Sequence, residues 1–241
     1  MKTRVMPFAL IAAIVIGPAV RHARPAPKQD APAQDPLTVR VVTRVPESIE
    51  GRREPTTAFF VELLMGAGST PGGFATFGGC QAEAAVQPVL TTDSTLREEL
   101  DKIVGNDPAL TYSVDDGVVN LLPSQSVPPL LYTQINALDV EGDSISDPFS
   151  RLINSPEVAK AKASLGIGKF SGLQLYSVPS ALPPLPGHKE AEPKKFTLHL
   201  RNVTLLQTLN SLVRAQGRGV WHYAEKVCNG EHWTNIDLAL R

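Results

Sequence analysis

Two segments of the chain share one spacing of apolar residues. Leu96, Leu100, Ile103 and Val104 recur at i, i+4, i+7 and i+8 in "TLREELDKIV" (95–104), and Leu205, Leu209, Leu212 and Val213 repeat that spacing in "TLLQTLNSLV" (204–213). Such spacing gathers the apolar side chains into one stripe along a helix. Each stripe opens on a capping box, Thr95 with Glu98 and Thr204 with Gln207. There the hydroxyl accepts a first-turn N–H and the longer side chain returns to the N–H of the cap. Gly105 and Pro108 end the first helix, and Gln216-Gly217 ends the second.

A strand pair follows each helix. After the first, "LTYSV" alternates, Asp116-Gly117 supplies a turn that tolerates positive φ, and "VVNLL" returns. After the second, "GVWHYAE" and "WTNIDLAL" read as strands, joined by the longer loop "KVCNGEH". Before the second helix, "FTLHLRNV" (196–203) turns Phe196, Leu198 and Leu200 inward and Thr197, His199 and Arg201 outward. The corresponding strand of the first copy, "AVQPVL", contains Pro88 and is expected at an edge or a bulge. A helix with a single apolar stripe needs a sheet beneath it. The expectation is therefore an α+β protein of two small modules, each a short sheet with one helix packed across it.

Elsewhere "LTVRVVTRV" (37–45) alternates as a strand with Val39, Val41 and Val45 on one face. Thr57 caps a short helix that buries Phe60, Leu63 and Leu64, Gly66 and Gly68 stop it, Pro71-Gly72-Gly73 makes a tight turn, and "FATF" is a short strand. "LLYTQINALDVE" is a strand continuing the first sheet. Asp147 caps a helix with Pro148 at its first position, burying Phe149, Leu152 and Ile153. "PEVAKAKASLG" is a second short helix ending at Gly166, and "SGLQLYSV" follows.

Composition then sets the boundaries. Lys2 and Arg4 precede the apolar run "FALIAAIVIGPAV", the pattern of an export signal, with cleavage expected after Ala19. Residues 20–36 are rich in proline, alanine and charge, a disordered spacer. "PSALPPLPGHKEAEPKK" (179–195) is a proline-rich linker. The organisation read from the sequence is a signal peptide (1–19), the spacer (20–36), a first α+β module with helical extension (37–178), the linker (179–195) and a second β-α-β module (196–241). Export changes the meaning of Cys80 and Cys228, which in an oxidising compartment read as one disulfide.

Strand, "NVTLLQTLNSLVRAQGRGVWHY" and strand together resemble the short N-terminal (STN-like) domain of secretins and TonB-dependent receptors, and the repeat domains of exported bacterial proteins. Leu205, Leu209, Leu212, Gly217 and Tyr223 fit the family pattern, as do Leu96, Leu100 and Ile103 in the first copy. The resemblance implies a module that makes periplasmic protein–protein contacts and catalyses nothing. No outer-membrane barrel or secretin pore pattern follows in the chain, so it implies a free-standing version.

The candidate chemistry is sparse. The formal net charge is −1, with no basic block to attract nucleic acid by bulk electrostatics. His222, Cys228 and His232, with Glu225 and Glu231 nearby, have no familiar zinc spacing. A disulfide would also remove the thiol that a Cys-His hydrolase needs. Asp115-Asp116 belongs to a turn, and Asp139, Glu141 and Asp143 lack the glycine and closing glutamate of a calcium loop. Neither a metal nor a cofactor is implied, and no catalytic residues are assigned. The aromatic group Trp221, His222, Tyr223, His232 and Trp233 is the expected contact patch if it is exposed rather than core. The reading is an exported, non-enzymatic protein that contacts an envelope protein, with no membrane anchor after signal cleavage and with its oligomeric state open. The rival readings are a secreted hydrolase with a scattered active site and a cell-wall or carbohydrate-binding module.

Overall fold

A computed structural model describes residues 35–41, 54–68, 70–80, 85–86, 94–177 and 194–240. The export signal, most of the spacer and most of the proline-rich linker lie outside these residues. The elements in chain order are β1 (Glu54–Pro55), α1 (Thr56–Gly66), β2 (Gly72–Gly78), β3 (Ala85–Val86), α2 (Leu96–Asn106), β4 (Leu110–Asp115), β5 (Val118–Pro123), β6 (Gln134–Asp143), α3 (Ser146–Ile153), α4 (Pro156–Ser164), β7 (Lys169–Ser177), β8 (Phe196–Thr204), α5 (Leu205–Gln216), β9 (Val220–Cys228) and β10 (Glu231–Leu240). The class is α+β.

Both repeated helices form as their patterns dictate. The Thr95–Glu98 and Thr204–Gln207 capping boxes are closed in both directions. Leu96, Leu100 and Ile103 are buried on α2, and Leu205, Leu209, Leu212 and Val213 on α5. Gly217, left-handed at φ 78°, terminates α5. Asp116 (φ 51°) and Gly117 (φ 81°) make the tight turn between β4 and β5.

The sheets differ from the expectation. The two helix–hairpin units do not each close a sheet of their own. Their hairpins join through β2 into one six-stranded mixed sheet in the order β4-β5-β2-β9-β10-β7. Strand β2 runs parallel to β5 on one side and to β9 on the other. An isolated hairpin has too few strands to be stable, and sharing one sheet resolves that. Helices α1 and α2 cover one face, against Phe74, Leu121, Val220 and Ala239. Helix α5 lies on the opposite face, against Ala75, Trp221 and Tyr223. Strands β6 and β8 form a separate antiparallel ribbon over α5, so β6 does not continue the first sheet. Covered on two sides, α5 buries Thr208, Asn210 and Gln216 as well as its apolar stripe. Pairing of β6 with β8, and of β7 with β10, joins the segments on either side of residues 178–193 into one core.

Four local expectations are corrected. Where 37–41 is expected to be strand, the chain makes a 3-10 turn, Pro36–Thr38, and a single bridge from Arg40 to Thr95. Gly72 and Gly73 open β2 instead of forming a turn, and both positions require glycine there, since a side-chain carbon on Gly72 would overlap Leu64 and one on Gly73 would overlap the indole of Trp221. Helix α3 begins at Ser146 after Ile145, so Asp147 and Pro148 sit within its first turn and no side chain caps it. The loop between β9 and β10 is the two-residue turn Asn229-Gly230, both at positive φ, and Lys226–Cys228 and Glu231–His232 belong to the strands.

Gly73→Ala should therefore destabilise the fold by about 3 kcal/mol, the upper range of overpacking costs. Gly73→Ala combined with Trp221→Ala should cost less than the sum of the single changes, because the methyl group then has space. Urea unfolding of the four proteins in the cycle measures this. Additive costs would show that the two residues do not share that space.

Candidate protein-contact site

The C-terminal hairpin splits the aromatic group between two faces. In the β9–β10 register Tyr223 opposes Ile236, Trp221 opposes Leu238 and His222 opposes Asp237. Trp221, Tyr223, Glu225 and His232 consequently share the α5 face, while His222 and Trp233 share the other. Trp221 and Tyr223 are fully buried and present nothing to a partner. Trp233 is half-buried, with the Lys226 ammonium 5.0 Å from its ring centre. His222 stacks on Phe74 at 5.6 Å, and its Nδ1 is 3.7 Å from Asp237. As a single exposed patch, the group does not exist.

The polar contacts beneath it are structural. The Trp221 indole N–H donates to Asn210 Oδ1 at 2.8 Å, and Asn210 Nδ2 donates to Asp115 at 3.3 Å. Tyr223 donates its hydroxyl to Glu225, whose other oxygen is 2.7 Å from His232 Nε2. His232 Nδ1 is 3.1 Å from the Leu165 carbonyl, which can only accept, so this nitrogen carries a proton. Both ring nitrogens are thereby engaged within the fold. Burial, and then the bond to Glu225, push the Tyr223 pKa far above its ordinary value.

Cys80 and Cys228 are joined in a disulfide with Cα atoms 4.8 Å apart, which tethers the end of β2 to the end of β9. Cys228 is thus neither a free nucleophile nor a thiolate ligand, and it stands between two histidines on opposite faces. Asp139 accepts from Arg201 and His199 across the ribbon, and these bonds, Arg201 first, hold its carboxyl below the usual range. Asp143 pairs with Arg151, and Glu141 is exposed on the same strand. These carboxylates support the ribbon surface and do not converge.

Two features that sequence reasoning missed are open to a partner. One is a groove of about 560 Å³ between the start of β6 (Gln134, Asn136) and the face of α4 that carries Glu157, Lys160 and Ser164. The other is the edge of the six-stranded sheet at β4. Its register with β5 is unbroken from Leu110↔Pro123 to Asp115↔Val118. No Lys, Pro, Gly or bulge interrupts it, whereas β7 meets β10 across a bulge, and the β6–β8 ribbon is bulged and carries Asn202 at φ 53°. Edges are ordinarily blunted by such devices. Thr111, Ser113, Val114 and Asp115 are exposed, with Val114 at 38%. Tyr112 is anchored by its hydroxyl to Asp101 of α2 at 2.6 Å, which raises its pKa and keeps it a neutral donor. The signal was available in "LTYSVDDG", where a tight hairpin encodes one outer strand, but which strand is outermost depends on distant pairings.

Comparison with family models, with curated proteins and with solved structures finds no match to this chain.

Two outcomes follow for stability. Replacing both cysteines by Ala should cost about 2–5 kcal/mol, because the bond closes a long loop in the unfolded chain. Chemical unfolding with and without the bond measures it. The raised Tyr223 pKa makes its contribution complete below about pH 10, the ordinary tyrosine value, and lost as pH rises above it. Tyr223→Phe should be less stable near neutrality yet decline less steeply between pH 9.5 and about 11.5 in thermal melts. Equal alkaline slopes would remove the role assigned to this hydroxyl.

Proposed function

We propose that the protein is an exported, non-enzymatic scaffold that works through protein–protein contacts in the bacterial cell envelope, taking up an extended strand of an envelope protein at the edge of β4. The observation that carries this reading is that edge itself, exposed and free of bulges or edge-blunting residues. Strand addition needs only a row of unpaired backbone groups and neighbouring side-chain positions, and an open sheet edge supplies both.

Export is supported by the sequence of the first nineteen residues and by the Cys80–Cys228 disulfide, which belongs to an oxidising compartment. Among the described residues no helix is long and apolar enough to cross a membrane. The resemblance to the short N-terminal domain of secretins and TonB-dependent receptors supports the same reading, since in those families the module makes periplasmic contacts. The engaged nitrogens of His232 and the bonded Cys228 give no support to a hydrolase. The buried Trp221 gives none to sugar stacking.

Cross-linking and affinity capture from the envelope fraction of the native cell should recover a protein partner with wild-type chain and lose it with Val114→Pro. Hydrolytic turnover on a substrate panel, with no protein captured, would overturn the proposal.

A further inference from the structure

We infer that β4 also pairs with itself, so that two copies of the chain join edge to edge through an antiparallel β4–β4 contact whose two-fold axis passes at Ser113. This rests on the reading of β4 as an open edge and specifies a second copy as an occupant of that edge.

The argument begins with which backbone groups point outward. Asp115 and Val118 flank a two-residue turn, and such a pair exchanges hydrogen bonds within the hairpin. Pairs alternate, so Ser113 and Thr111 also bond inward to β5, as does Ala109, whose carbonyl accepts from Ser124 N–H at 2.7 Å. Tyr112 and Val114 therefore direct both N–H and C=O away from the sheet. The Leu110 N–H is already taken by the Asp107 carbonyl at 3.0 Å.

A second β4 must match outward groups with outward groups. Placing Ser113 on the axis sets Tyr112 opposite Val114 of the second copy, and Val114 opposite its Tyr112, each pair exchanging two backbone hydrogen bonds. Shifting the register by two residues in one direction faces Val114 with Leu110, whose N–H is occupied. Shifting it in the other sets Tyr112 against the turn residue Asp116, which pairs with Arg214.

The side chains agree with the central register. The exposed Val114 gains a Tyr ring beside it, a favourable aromatic and β-branched cross-strand pair. Asp115 falls opposite Thr111, so no like charges face each other across the contact. A single strand pair buries less area than the roughly 1,200–2,000 Å² of a standard stable interface, so the association is reversible and concentration-dependent.

Sedimentation of the purified protein over a wide concentration range, with cysteine trapping, tests this. The wild type should pass from monomer to dimer, and Val114→Pro should weaken the association at least tenfold. Proline is tolerated in an edge strand where its N–H would have faced outward. Val114→Lys, which keeps the backbone donor, gives a second reading if the proline variant misfolds. Ser113→Cys should form a disulfide-linked dimer on mild oxidation, because directly opposed residues in a non-hydrogen-bonded pair lie about 4.5 Å apart at Cα. Thr111→Cys should not, its counterpart being displaced by four residues, about 13 Å.

A wild type that remains monomeric with no Ser113→Cys link overturns the inference, as does a dimer indifferent to both Val114 variants. A monomer whose envelope partner is still lost with Val114→Pro ends the self-pairing and keeps the strand-addition reading. A monomer whose capture ignores Val114→Pro ends both.

Discussion

The contact between the Trp221 indole and Gly73 sets the geometry of the whole sheet. Trp221 projects from β9 over the neighbouring strand β2, and only a residue without a side chain can lie beneath it. A fully buried indole also needs an acceptor for its N–H. Asn210 of α5 supplies it and passes a hydrogen bond to Asp115 at the end of β4. One side chain thus fixes the β2–β9 seam, the seat of α5 and the link from the helix to the outer strand. The same seam is where the first half of the chain meets the second, so the two hairpins share a sheet because the indole has somewhere flat to lie. Buried polar chains of this kind select one arrangement when every member is satisfied.

Features encoded within a few residues were legible in the sequence. The capping boxes, the α2 and α5 stripes, the Asp116-Gly117 turn and the inward residues of α1 and α3 depend on spacing alone, and they appear in the structure. Features that depend on a distant neighbour were not. Gly72-Gly73 reads as a turn until Leu64 and Trp221 are placed over it, and then the glycines serve close packing within a strand. Asn229-Gly230 is a strong local hairpin signal, set among cysteine, histidine and charged residues that give its flanks no clean alternation. The partner of β6 lies some sixty residues downstream, and nothing in the alternation of "LLYTQINALDVE" names β8.

The candidate site shows the same division. Aromatic residues at successive positions of "WHYAE" seem clustered when written in a line, but strand geometry sends Trp221 and Tyr223 to one side and His222 to the other. Residue type drew attention to the hairpin. The exposed and regular edge belongs instead to β4, which stands at one end of the sheet order, a place its own sequence does not mark. The disulfide reinforces this contrast, since it ties the ends of the two central strands, β2 and β9, and leaves the outer strand β4 untied.

The parallel pairing of β2 (Gly72–Gly78) with β9 (Val220–Lys226) also governs when the molecule can assemble. Contacts so distant along the chain are slow to form, because a large loop must close before they repay its entropy. The middle of the sheet is incomplete until the final strands have been synthesised, and until then α5 has only the β6–β8 ribbon to pack against. A nascent chain with this topology keeps its central seam unpaired until its last strands are made, a condition compatible with threading through a narrow channel.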